Sequence, residues 1–119
     1  MSLRIPYETV LETVKQALMN SGLTEEKAQI CAEIHTQSNA DGVESHGLNR
    51  VPRFVDYVQK GFINPQGEPE LVGGKGAVEN YDGHLGIGIT NALFCAERAM
   101  ALAKEHGIGC VALKNSTHW

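Results

Sequence analysis

The chain has 119 residues, of which 42% are hydrophobic and 20% are charged, so it can form a core and is not polar enough to be disordered. Acidic residues outnumber basic ones by 14 to 10, and the resulting net charge of -4 argues against a nucleic-acid-binding surface. No apolar run approaches the roughly 20 residues that span a bilayer, and no signal peptide is visible. The sequence therefore predicts a cytoplasmic protein rather than a membrane or secreted one.

The three cysteines are Cys31, Cys95 and Cys110. They form no CxxC pair, and each lies among apolar residues. This pattern predicts three reduced, buried thiols rather than a disulfide framework or a metal site.

The first 40 residues carry the pattern of two helices joined by a short link. Apolar residues recur at helical spacing from Tyr7 until Asn20-Ser21-Gly22 ends the pattern. Thr24 is placed as the N-cap of a second helix, with acidic residues in its first turn. We expect that helix to bury one stripe, formed by Ala28, Cys31, Ala32 and His35.

The segment after Gly42 differs from a helical module because it groups polar side chains between two glycines. Glu44, Ser45 and His46 are consecutive, and Gly47 follows them. Glycines allow backbone conformations closed to other residues, so such a loop can present an imidazole outward. A third helix is predicted next, with two arginines near its start and an apolar face made by Val51, Phe54, Val55 and Val58.

The second half of the chain predicts strands around one long helix. Glu70-Leu71-Val72 and Ala77–Tyr81 are expected to pair as strands, with Asp82-Gly83 as a turn signal after them. A helix that ends at Gly107 leads into the apolar run Ile108–Leu113, which predicts a strand covered on both faces. We expect the buried stripe of this helix to contain Ala92, Leu93, Ala96, Ala99, Met100 and Ala103.

These patterns together predict an α/β (α+β) protein with an N-terminal three-helix region at 1–61 and the start of a mixed α/β domain at 62–119. A strand covered on both faces needs neighbouring strands that the chain does not supply. We therefore expect the sequence to be the N-terminal portion of a longer protein.

Among the five histidines, His46 is the strongest candidate for chemistry. Imidazole titrates near neutral pH and can move a proton during turnover. Arg50, four residues later, carries a planar fork that binds a carboxylate through two parallel hydrogen bonds. The pair suits an anionic substrate whose carbonyl or hydroxyl oxygen exchanges a proton.

Other groups of residues are weaker candidates for a functional site when they are judged by their spacing alone. Neighbouring residues of one loop seldom point at each other, which argues against Ser45 as a nucleophile activated by His46. Gly83, Gly86 and Gly88 precede a helix but do not match G-x-G-x-x-G, so a plain helix entry is favoured over a phosphate-binding turn. The spacing of His46 and His118 does not support a metal site, and none is predicted.

The stretch Asp41–Phe54, DGVESHGLNRVPRF, resembles the signature of the malate/L-lactate dehydrogenase family. The stretch His106–Trp119, HGIGCVALKNSTHW, resembles the same family. The resemblance implies a non-Rossmann fold in which a helical region joins a large mixed sheet. It also implies an NAD(P)-dependent 2-oxoacid reductase that uses NADH, with NADPH left open, and whose active site lies where two subunits of a homodimer meet.

The resemblance further implies roles for single residues. His46 would protonate the carbonyl oxygen of a 2-oxo or 2,3-diketo sugar acid, with Ser45 beside it in the catalytic site. Arg50 would bind the substrate carboxylate and His118 would line the same cleft. The cofactor-contacting segments would lie mostly beyond residue 119, so these residues alone are expected to be inactive.

Two other functions stay open at this point. In one, the amphipathic helices form a non-catalytic oligomerisation or interaction module. In the other, His46 and His118 serve a metal-dependent hydrolase.

Overall fold

The computed structural model describes residues 3–117, which divide into two compact units with the boundary between Phe62 and Ile63. The first unit is helical, and the second is a three-stranded sheet with one long helix. The predicted succession of a helical region and part of a mixed sheet is confirmed. Among the described residues, no helix is long and apolar enough to cross a membrane.

The first unit opens with two packed helices, α1 (Tyr7–Ser21) and α2 (Glu25–Ala40). The Thr24 hydroxyl accepts a hydrogen bond from the Lys27 N–H at 3.3 Å, which confirms Thr24 as the N-cap. The predicted α2 stripe is also confirmed as buried. The core of this unit contains Leu11, Val14, Leu18, Leu23, Ala28, Cys31, Ala32, His35, Thr36 and Phe54.

Two short 3₁₀ turns follow α2 and lead into the third helix. The first 3₁₀ turn spans Glu44–His46 and the second spans Leu48–Arg50, with Gly47 between them. Helix α3 covers Val51–Gln59 and begins directly after the second turn. Of its predicted apolar face, Phe54 is buried, whereas the three valines are only half-buried.

The second unit is a β–β–α–β arrangement. Strands β1 (Glu70–Lys75) and β2 (Val78–Gly86) pair antiparallel, and β3 (Cys110–Ser116) pairs parallel to β2, in the order β1-β2-β3. Helix α4 (Gly88–His106) connects the two parallel strands. The predicted strand pair, the long helix and the strand after it are confirmed.

Two details of the sheet differ from the sequence predictions. Asp82-Gly83 does not close the second strand, because β2 continues to Gly86 and only its register with β3 shifts there. Among the described residues β3 is the last strand of the sheet, and its residues are exposed or half-buried rather than buried on both faces.

The predicted stripe of α4 is also wrong. Leu93 is 43% exposed and Met100 is 58% exposed, whereas Ile89, Asn91 and Leu102 are buried. Asn91 and Leu102 lie on one face of the helix, and Asn91 donates a hydrogen bond to the Ser116 hydroxyl at 3.1 Å. The Gly88 N–H at its first residue donates to the Thr117 hydroxyl at 3.0 Å.

The cysteine prediction holds only in part. All three thiols are free, but Cys31 is buried, Cys95 is half-buried and Cys110 is exposed. Cys110 is the first residue of β3 and pairs with Val78 of β2. Burial raises the pKa of the Cys31 thiol to about 12, so this side chain is an inert part of the core.

Candidate functional site

The candidate site is built on the 3₁₀ turns between α2 and α3. His46, the last residue of the first turn, is half-buried, and Ser45 beside it is exposed. The Ser45 Oγ lies 2.8 Å from the His46 Nδ1, within hydrogen-bonding distance. The expectation that neighbouring residues of this loop do not point at each other is therefore wrong. The tight 3₁₀ turn brings the two side chains together.

The serine hydroxyl suits a ring that changes its protonation state. A hydroxyl can donate to Nδ1 when the imidazole is neutral with its proton on Nε2, and it can accept from Nδ1–H when the ring is charged. The contact therefore holds the ring in both states. In the charged state Nε2 carries a proton that is not used by Ser45.

Arg50 closes the second 3₁₀ turn and is half-buried. Within residues 3–117 its guanidinium pairs with no carboxylate, and its Nε is buried without a hydrogen-bond partner. A buried donor left unpaired costs free energy, so such a group favours an anionic partner. Arg53, the other predicted arginine of this region, is exposed on α3.

His35 of α2 lies beneath this turn and was predicted only as a core or boundary residue. It is 5% exposed, and its Nδ1 lies 3.3 Å from the His46 carbonyl oxygen. Its ring meets Phe54 edge-on at a centroid distance of 6.3 Å. Burial lowers the pKa of His35, and the positive charges of Arg50 and His46 lower it further, whereas the bond to the His46 carbonyl opposes the shift. The turn thus gathers basic groups at one place.

Because the pKa of His35 in the folded protein lies below its ordinary value of 6.5, neutral His35 stabilises the native state above that pH. We expect the free energy of unfolding to fall as the pH drops below about 6.5, since the unfolded chain then binds a proton that buried His35 does not. In His35→Phe this part of the pH dependence should disappear. Denaturant titrations of both proteins between about pH 5 and pH 7.5 measure the difference. Identical pH slopes would show that His35 is not buried in its neutral form.

Gly42 has φ +85° in the left-handed region, whereas Gly47 between the two turns has φ -97° and ψ -132°. Its role is close approach, because an added Cβ would lie 2.7 Å from Asn39 Oδ1 and 2.9 Å from Asn39 Cα. The sequence argument that flanking glycines free the backbone therefore applies to Gly42, and the contact with Asn39 gives Gly47 a packing reason. Asn39 was not predicted, and its place one helical turn after His35 was the signal that could have revealed it.

We expect Gly47→Ala to destabilise the full-length protein by about 1–3 kcal/mol, since the clash involves the backbone of Asn39 as well as its side chain. Turnover should fall as well, because the turn that carries His46 must move. Gly61→Ala is the matched control. Gly61 has φ +79° with nothing near an added Cβ, so that variant should lose stability through backbone strain and keep its activity. Chemical denaturation and initial rates measure both, and full activity in Gly47→Ala would contradict the packing argument.

His118, predicted to line the cleft, lies outside the described residues. Among residues 3–117 no three His, Cys, Asp or Glu side chains are arranged to hold a metal ion. The glycine-rich entry to α4 does not fit a dinucleotide phosphate, because the Gly88 N–H donates to Thr117. The Gly67 carbonyl oxygen lies 2.6 Å from the position of an added Cβ on Gly86, so the turn is packed against its own chain.

The sequence is similar to that of several known proteins. A family model described as malate/L-lactate dehydrogenase matches residues 5–119. The chain is 40% identical over 117 residues to 2,3-diketo-L-gulonate reductase of Pasteurella multocida (strain Pm70), with 98% of this chain and 35% of that protein covered. The protein of that name from Klebsiella pneumoniae (strain 342) is 38% identical over the same shares. The chain thus spans about a third of the length of the curated relatives it matches.

Solved structures agree with this relation. Malate dehydrogenase from Pyrococcus horikoshii OT3 superimposes with a TM-score of 0.92 at 30% identity, over 98% of this chain and 34% of that one. Sulfolactate dehydrogenase from Methanocaldococcus jannaschii gives a TM-score of 0.90 at 30% identity, with the same shares covered.

Proposed function

The chain belongs to the malate/L-lactate dehydrogenase family, and from this premise we propose that the full-length protein is an NAD(P)H-dependent reductase of a 2-oxo acid or a 2,3-diketo sugar acid. The observation that carries the proposal is the turn at residues 44–50. It presents a half-buried imidazole held by a serine and, four residues later, a guanidinium without a carboxylate partner among the described residues. A relative named 2,3-diketo-L-gulonate reductase at 40% identity supports the sugar-acid substrate class.

In the proposed reaction His46 is the acid that protonates the substrate oxygen. The charged ring donates through Nε2 while Nδ1–H stays bound to the Ser45 hydroxyl, and the neutral ring accepts the proton back in the reverse direction. Ser45 thus orients the imidazole throughout the cycle. Arg50 binds the substrate carboxylate and so fixes which carbonyl faces His46.

The nicotinamide, when bound, supplies a hydride to the carbonyl carbon. We assign cofactor contacts to none of the described residues, because the one glycine-rich turn that resembles a phosphate-binding loop is packed against its own chain. NADH and NADPH are both compatible with the residues described.

We further propose a homodimer in the cytoplasm. Three free thiols, one of them exposed, are typical of a reducing compartment. The dimer follows from the family premise, since the resemblance implies an active site shared between subunits.

The test of the function is a substrate panel on the full-length protein. We expect oxidation of NADH or NADPH, followed by its absorbance, with at least one 2-oxo or 2,3-diketo sugar acid. Matched 2-hydroxy acids and esters of the same oxo acids should give no oxidation, because they lack the carbonyl or the carboxylate. No turnover with any oxo acid and either cofactor would overturn the proposal.

A non-catalytic interaction module is the second candidate, favoured by the apolar side chains that α4 leaves exposed. Leu93 and Met100 lie about two turns apart on one side of this helix and are 43% and 58% exposed. Gel filtration together with NADH fluorescence titration separates the two functions. Oligomerisation without any cofactor response in the full-length protein would favour the module.

A further inference from the structure

Two side chains of α2 contact the backbone on either side of Gly47. His35 and Asn39 lie four residues apart and therefore share one face of the helix. His35 Nδ1 lies 3.3 Å from the carbonyl oxygen of His46, and Asn39 Oδ1 accepts a hydrogen bond from the N–H of Leu48 at 3.4 Å. One side chain thus donates to the residue before Gly47, and the other accepts from the residue after it.

The geometry fixes which ring nitrogen of His35 donates. A carbonyl oxygen only accepts, so the Nδ1 of His35 carries a proton, and in the neutral ring Nε2 then carries a lone pair. That Nε2 is buried and has no hydrogen-bond partner among the described residues. The ring is also held edge-on against Phe54, so it has little freedom to release the His46 carbonyl. A side chain kept in a core at the cost of one unsatisfied nitrogen points to a role for its other nitrogen.

Asn39 holds the turn by contact as well as by its hydrogen bond. The Gly47 backbone lies so close to Asn39 that an added Cβ would be 2.8 Å from the Asn39 Cβ. No side chain other than hydrogen fits between the helix and the turn. The position of the peptide groups at Gly47 relative to α2 is therefore fixed by three contacts. These are the hydrogen bond from His35, the hydrogen bond to Asn39 and the close packing of Gly47 against Asn39.

We propose that His35 and Asn39 are positioning residues that fix the backbone from His46 to Leu48 and, through it, the direction of the His46 imidazole. The proposal rests on the function given above, in which His46 is the acid. Neither residue is assigned a contact with substrate. Replacing His35 and Asn39 should therefore lower kcat more than it raises KM, because kcat depends on the orientation of the His46 imidazole and KM depends on Arg50.

The experiment compares disruptive and conservative variants of the full-length protein. His35→Phe keeps an aromatic ring against Phe54 and removes the donor, whereas His35→Asn places an amide N–H near the Nδ1 position. Asn39→Leu removes the acceptor at similar volume, whereas Asn39→Asp keeps it. We expect the double variant H35F/N39L, which lacks both the donor and the acceptor, to lower kcat about 10- to 100-fold with KM changed by less than about threefold.

Rescue by the conservative pair separates positioning from a general loss of structure. The H35N/N39D variant should recover most of the lost kcat, and the NMR signals of the His46 ring should return to their native positions. If H35F/N39L turns over within about twofold of the native protein, the proposal is overturned. It is overturned too if kcat falls only in step with the melting temperature and the conservative pair does not restore it. Should H35F/N39L not fold, the two single variants are judged by the same kcat criterion.

His46→Gln distinguishes a failure of this inference from a failure of the proposed function. If His46→Gln is nearly inactive while H35F/N39L is unimpaired, only the positioning role is wrong. If His46→Gln retains native turnover, the catalytic assignment itself fails, and the positioning role fails with it.

Discussion

Replacing His46 with alanine is expected to lower kcat of the full-length protein by about 10²–10⁴-fold, the usual contribution of a general acid. The imidazole is half-buried on a 3₁₀ turn and held at Nδ1 by Ser45, so Nε2 is the atom that would deliver the proton. Cofactor binding should stay nearly intact, because none of the described residues is assigned to the nicotinamide. Steady-state kinetics and NADH fluorescence titration measure the two effects separately.

His106→Ala is the control, since His106 lies at the exposed end of α4 and has no place in the proposed chemistry. It should leave kcat within about twofold of the native value. Turnover at the native rate in His46→Ala would remove this residue from the mechanism. Ser45→Ala should have a smaller effect than His46→Ala, because it frees the ring without removing it.

The second large effect is expected for Arg50→Lys, which should raise KM for the oxo acid about 10- to 100-fold with a smaller change in kcat. An ammonium is a point charge and cannot reproduce the two parallel hydrogen bonds that a guanidinium makes to a carboxylate. KM for the cofactor should not change. Initial rates over a range of oxo acid at saturating cofactor give the result.

Arg53→Lys is the matched control, because Arg53 has the same chemistry but is exposed on α3 three residues later. Its KM for the oxo acid should equal that of the native protein. Unchanged KM in Arg50→Lys would dismiss Arg50 as the carboxylate site, and equal losses in both variants would show that the effect is not specific to the guanidinium at position 50.

The parts of the fold that follow from local chemistry could be predicted from the sequence. Thr24 as N-cap, the buried α2 stripe and the glycine that ends α4 each depend on residues within one or two helical turns. The pairing of β1 with β2 and the strand after α4 follow from the strand patterns and the turn signals. The candidate pair His46 and Arg50 came from side-chain chemistry, and its catalytic role stays a prediction.

What the sequence could not predict depends on contacts between distant positions. Asn91 of α4 is buried and bonds to Ser116, 25 positions away, whereas apolar spacing alone selected the stripe with Leu93 and Met100, which are exposed. The exposed state of Cys110 could not be predicted from the apolar composition of the segment that forms β3. The Ser45–His46 contact arises from the tight backbone of a 3₁₀ turn, and the residue types in this segment do not predict that conformation.

The bonds between α2 and the turn at Gly47 span only 11 and 9 positions of the chain. Loop-closure entropy grows with the logarithm of loop length, so contacts this short cost little chain entropy to form. Proteins and segments dominated by such contacts fold quickly. Helix α2 and the turns that carry His46 and Arg50 can therefore form early in folding, because they belong to one continuous stretch of chain. Contacts between residues farther apart in the sequence would form later.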